Sequence, residues 1–189
     1  AGTFKPVKSE TMEGHNMHSE WIEVGRKSIE NILRQISKIE SNNNIIAVGT
    51  TSLRTIESLY WMGVKAHTNL EFAIEKLEVK QWDAYELQQN VTAKASLTSL
   101  LAWLEKNKIE KLICKTQIII VPSYHLKIAN ALITNFHQPN STLLLLVAAI
   151  VGDDWRTIYN YAMNNNFSFL SYGDGSILFN LIVRNLTHN

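Results

Sequence analysis

Cysteine is almost absent: Cys114 stands alone in a chain of 189 residues. One thiol forms no internal disulfide, which favours a reducing compartment and sets the cytoplasm as the expected location. Glycine is sparse too. No Gly-x-Gly-x-x-Gly fingerprint and no Walker loop with its lysine occurs, which disfavours a nucleotide-binding oxidoreductase and a P-loop enzyme. Neither sign of charge is in real excess: 18 Lys and Arg against 17 Asp and Glu leave +1, so charge alone gives no support for RNA binding. The one local basic cluster, Lys106, Lys108, Lys111 and Lys115, reads as an ordinary solvated face. The longest apolar run, Leu143 to Val151, is too short to span a membrane. No basic region leads into an apolar stretch at Ala1, so no signal peptide is expected, and the AGTF start without methionine suggests a piece cut from a longer protein. Repeats, low-complexity tracts and convincing linkers are missing as well.

What is present is globular. Hydrophobic residues make up 46% against 19% charged, enough for one domain with a real core over residues 1–189. Residues 1–24 read as polar and irregular. Ile29, Ile32, Leu33, Ile36 and Ile39 fall at helical spacing over Arg26 to Ile39. Ile45 to Val48 reads as a short buried strand, GTTS at 49–52 as a tight turn, and Leu53 to Met62 as a helix that Gly63 stops. Residues 64–95 show no clean period and read as a surface excursion. Leu97, Leu100, Leu101 and Leu104 mark a further helix, and Ile118 to Val121 a strand ended by Pro122. Ala131 to Thr134 reads as a strand, Thr142 to Val151 as a buried helix capped by Ser141 or Asn140, and Trp155 to Ala162 as another helix. Phe167 to Ser171 and Ile177 to Val183 look like closing strands. Trp61, Trp82 and Trp103 are expected in the core. Strands alternating with helices predict an α/β layered fold, a mixed sheet flanked by helices.

Four polar motifs interrupt this pattern. In GTTS, a strand, a glycine turn and a helix start place backbone N–H groups at one point, with the hydroxyls of Thr50, Thr51 and Ser52 beside Gly49 and with Arg54 and Glu57 following. That suits a carboxylate or phosphate; the alternative is a plain capped turn. In TNFHQPNST, Asn135 and His137 project after a strand and Ser141 and Thr142 open a helix, an arrangement useful for chemistry at a strand's carboxyl end. The alternative is a turn with a satisfied histidine and a cap. SYGDGS offers Tyr172 as donor and Asp174 as base or orienting group, or else a surface turn. HNMHSE sets His15, His18 and Glu20 close together; without evident further ligands, acid–base or hydrogen-bonding roles suit them better than zinc, and no metal is expected.

AGTFKPV, HNMHSE, IIAVGTTSLRTIES, LITNFHQPNSTLLLLVAA and FLSYGDGSILF stand here in the order that they have in the S-adenosylmethionine:tRNA ribosyltransferase-isomerase family of queuosine biosynthesis. The chain resembles the C-terminal half of that family over about two-thirds of its length. The resemblance implies the C-terminal part of a larger catalytic α/β domain, with the family's small β-barrel domain absent and residues 64–112 in place of a shorter link, as a surface insertion. It implies transfer and isomerisation of the ribosyl part of S-adenosylmethionine onto a 7-aminomethyl-7-deazaguanine base at the tRNA wobble position. Epoxyqueuosine-tRNA, adenine and methionine result. S-adenosylmethionine is then a consumed co-substrate, no cofactor is needed, tRNA is the partner, and this chain alone is inactive for want of part of the site. The alternative is a paralogue that binds a nucleoside or RNA without this reaction. His137 with Asn135 is the first choice for acid–base work, His15 and His18 the second, Asp174 with Tyr172 the third. Gly49, Thr50, Thr51, Ser52, Arg54, Glu57, Glu20, Ser141 and Thr142 are expected to bind substrate. Three positions depart from the family pattern: Ser123, usually glycine, and Gly175 and Ser176, usually alanine and methionine.

Overall fold

A computed structural model describes residues 17–38, 45–138 and 141–180. Strand β1 (Glu20–Gly25) leads directly into helix α1 (Arg26–Ile36). Strand β2 (Ile46–Val48), helix α2 (Thr50–Thr68), a 3₁₀ turn at Ile74–Lys76, strand β3 (Glu78–Val79), the short helix α3 (Asp83–Glu86) and helix α4 (Ala93–Lys106) follow. Strands β4 (Lys111–Thr116) and β5 (Ala131–Asn135), helices α5 (Thr142–Val151) and α6 (Asp154–Asn164) and strand β6 (Gly175–Phe179) complete the described order. The strands form two three-stranded mixed sheets, β1-β4-β3 and β2-β5-β6. The layered α/β expectation therefore holds, with two small sheets in place of one. No helix among the described residues is long and apolar enough to cross a membrane.

The chief difference from the sequence reading lies at 64–112. These residues build the core instead of lying on the surface: Val64, Leu77, Val79, Leu97, Leu100, Trp103 and Leu104 are all buried. Helix α2 runs past Gly63 to Thr68, and α4 packs against it there at very short range. A Cβ on Gly63 would sit 2.2 Å from Ser96 Oγ and 2.3 Å from Ser96 O. The glycine thus serves close packing, not helix termination, and Ser96 Oγ donates to the Tyr60 carbonyl at 2.5 Å to join the two helices. Thr92 caps α4 by accepting from Ala95 N at 3.1 Å.

Strand order also differs near 118. The ladder falls on Lys111–Thr116, whose burial alternates, with Leu112, Cys114 and Thr116 inward. Ile118 to Ile120 are buried as well, but the run is outside the strands. An unbroken apolar run signals burial; only the alternating segment signals a sheet with one wet face. Strand β1 pairs antiparallel with β4, setting Ile22 opposite Cys114, so the chain is regular from Glu20 onward. Phe167 to Ser171 forms no strand. It folds back because Asp174 Oδ2 accepts from Ser168 N at 2.7 Å and Asp174 N donates to Ser168 O at 2.9 Å. The proposed strand to Val183 is seen as β6 up to Phe179; 181–183 lie outside the described residues. Trp61 and Trp103 are fully buried and Trp82 is half-buried. In the basic cluster, Lys106 pairs with Glu71, Lys111 pairs with Glu23 at 2.7 Å, and Lys115 lies 5.0 Å over the Trp21 ring.

Candidate functional site

Two of the polar motifs meet at one end of the second sheet. Strands β2 and β5 are parallel, Val48 standing opposite Ile133, so their carboxyl ends point the same way, where open α/β sheets collect ligands. Gly49 leaves β2 with φ +87°, a conformation that favours glycine, and its N–H donates to Ile133 O at 2.8 Å. Helix α2 starts at once. Thr50 is buried beneath this turn, whereas Thr51 and Ser52 face solvent.

From the end of β5 come Thr134, Asn135 and, after the buried Phe136, His137. The His137 Nε2 and Thr134 Oγ1 atoms share a hydrogen bond of 3.0 Å. The His137 backbone N–H donates to the Tyr159 hydroxyl at 3.1 Å, which pins the loop to α6. Burial lowers the pKa of His137 below its ordinary value, so its imidazole is neutral at neutral pH. Asn135 Nδ2 donates to Gly173 O at 3.0 Å, tying this loop to the SYGDGS turn. Space for that turn exists only because residue 173 is glycine: a Cβ there would lie 2.3 Å from Ser168 O. Asp174 is exposed and holds Ser168; Tyr172 is fully exposed.

A second group surrounds Arg54, which is buried at 3% exposure on α2. Its Nη1 donates to Glu20 Oε1 at 2.8 Å and its Nε to Ile118 O at 3.2 Å. Thr142, the first residue of α5, borders the same small cavity as Arg54. Ser141 is the cap of α5, accepting from Leu144 N at 3.3 Å. Glu57 lies one turn beyond Arg54 and is wholly enclosed. Its carboxylate accepts from Tyr124 Oη at 2.7 Å, Lys127 N at 2.8 Å, Ile128 N at 3.0 Å and Ala129 N at 3.1 Å. Burial pushes its pKa up, and these four donors pull it back. Glu57 thus organises the 124–129 loop from inside the protein.

The structure therefore gathers Glu20, Arg54 and Thr142 in one place, and Gly49, Thr134, Asn135, His137 and the 173–174 turn at the end of β2 and β5. His18 is exposed, and His15 lies outside the described residues. The sequence reading passed over Thr134 as a strand end, Tyr159 as a helix face, and Met17 and Ile118. A hydroxyl three residues before His137 was a visible signal; Tyr159 gave none, since its contact crosses the fold.

A structurally similar protein is the S-adenosylmethionine tRNA ribosyltransferase from Thermotoga maritima, with 28% sequence identity and a TM-score of 0.52. The match covers 83% of this chain and 39% of that one, so the chain spans well under half of its relative. The family model for queuosine biosynthesis proteins matches residues 1–178, and the chain belongs to that family.

Proposed function

We propose that this chain is part of an S-adenosylmethionine-dependent tRNA ribosyltransferase-isomerase. In this reading the ribosyl group of S-adenosylmethionine is transferred to the aminomethyl group of 7-aminomethyl-7-deazaguanine at the wobble position. It is rearranged to the epoxycyclopentanediol of epoxyqueuosine, with release of adenine and methionine. The observation that carries the reading is the half-buried, neutral His137 at the carboxyl end of β5 in a member of this family.

The chemistry asks for such a group. A sulfonium acidifies the adjacent ribose carbon, and a neutral imidazole with a lone pair is suited to take the proton. His137 fills that role, its orientation set by Thr134 at 3.0 Å and its loop by Tyr159 and Asn135. The protonated imidazole then serves as donor to the departing adenine. His15 and His18 are the second choice and Asp174 with Tyr172 the third. The exposed hydroxyls of Thr51 and Ser52 at the start of α2 face a tRNA phosphate.

The test expresses the complete reading frame and incubates the protein with precursor-bearing tRNA and S-adenosylmethionine. Mass spectrometry of the anticodon nucleoside is expected to show the epoxide, with free adenine in equal amount. An unchanged nucleoside mass overturns the reading and favours a paralogue that binds RNA without reaction.

A further inference from the structure

Arg54 is left with one unanswered polar group. Its Nη2 is buried and has no hydrogen-bond partner among the described residues, although Nη1 and Nε are both engaged. Buried guanidinium nitrogens are normally paired, because an unmet charged donor is costly. Arg54 and Thr142 border a cavity of about 10 Å³, closed by Met17, Ile118, Ile120 and Leu146. That space admits about one oxygen-sized group. Thr142 is the first residue of the ten-residue helix α5, whose N-terminal end carries a partial positive charge.

Charge narrows the occupant. Glu20 Oε1 already neutralises Arg54 at 2.8 Å, so the cluster of Glu20 and Arg54 is neutral as a pair. A phosphate would add uncompensated negative charge. A zwitterion adds none, and the parts present match one. The guanidinium and the α5 terminus meet a carboxylate, while the Glu20 carboxylate, 32% exposed on its side chain, meets an ammonium.

We propose that Arg54, Thr142 and Glu20 form a subsite for an α-amino-acid head group, one carboxylate oxygen entering the cavity to accept from Arg54 Nη2. This rests on the reading above and assigns to the subsite the methionine end of S-adenosylmethionine. Met17 is the side chain that the incoming group displaces. It lies 9% exposed on the segment that leads into β1 and is held by its backbone, its N–H donating to Gln81 Oε1 at 2.8 Å and its carbonyl accepting from Gln117 Nε2 at 3.1 Å.

The test measures binding of S-adenosylmethionine, its decarboxylated analogue and its deaminated analogue by calorimetry, using the protein from its complete reading frame. Each analogue is expected to bind at least about tenfold more weakly than the parent, the scale of one hydrogen bond to a charged group. Arg54→Lys and the milder Thr142→Val bring the preference over the decarboxylated analogue below about threefold and keep that over the deaminated one. Glu20→Gln, which still offers Arg54 an acceptor, does the reverse. If the wild-type protein binds all three alike, the cavity holds water only and the inference is overturned, while the reaction stands. If none of the three binds, both fall together.

Discussion

Ser123 shows how one residue can sit against its own backbone. Residues 121–124 close a turn in which Tyr124 N donates to Val121 O at 2.9 Å, with Pro122 second and Ser123 third at φ +94°. That is the position of a type II turn that favours glycine. Ser123→Gly is expected to stabilise the protein by about 1 kcal/mol, read as a melting point about 2–4 °C higher; an unchanged or lower melting point contradicts the turn assignment. The sequence marked this departure from the family pattern but not its reason, because φ is not written in residue type. His137 was legible as a reactive candidate for the opposite reason: its strand, turn and cap are all local. Its environment was not, since Tyr159 reaches it from another helix. Because burial lowers its folded pKa, the unfolded chain binds the extra proton first. Stability from this group is therefore full above its ordinary value near 6.5 and is lost as pH falls from there through the folded pKa. The rate should follow the same proton, with an acid limb whose midpoint lies below 6.5 in the pH profile of kcat/KM. A midpoint above 6.5, or a limb that survives in His137→Gln, contradicts His137 as base.

At the scale of elements, helix α2 organises the molecule. Its first turn lies beside β5, Arg54 meets β1 through Glu20, Glu57 holds the 124–129 loop, and Gly63 seats α4. Gly63→Ala forces a methyl into Ser96 and is expected to destabilise by about 2–3 kcal/mol in chemical denaturation; a change under about 0.5 kcal/mol means that α2 and α4 are less closely packed than described. Glu57→Gln replaces one of two carboxylate oxygens, each of which accepts from two donors, by an N–H₂ that faces two of them, so a loss of about 3 kcal/mol is expected, with the fluorescence of Trp61 changed because its Nε1 donates to Tyr124 Oη at 2.9 Å. Retained stability contradicts the role of Glu57 inside the loop. Helices with a clean apolar stripe or a cap, α4 and α5, were readable in sequence. The course of α2 was not, because its glycine looks like a stop until the neighbour that needs it is known. Residues 64–95 were opaque for a related reason. They bury Leu77, Val79 and Ala84 in short pieces joined by turns, so no period has room to develop.

For the whole molecule, the architecture joins two small sheets through α2 and leaves apolar side chains open on one face of the second: Ile46, Val48, Ile177 and Phe179 are exposed there. The catalytic candidates lie at the end of that sheet, on the strand-end loops, where a change of side chain leaves the core intact. Family membership comes from motifs spread over residues 1–178, while the division of labour among them comes from the fold. The central claim is that the reacting centre is the His137 end of β5. The most direct measurement is the initial rate of tRNA-dependent adenine release from S-adenosylmethionine by His137→Ala and by wild-type protein, both from the complete reading frame and both checked for an unchanged melting transition. A drop of about a hundredfold or more is predicted, the usual contribution of a general base; a rate within about threefold of wild type would contradict it.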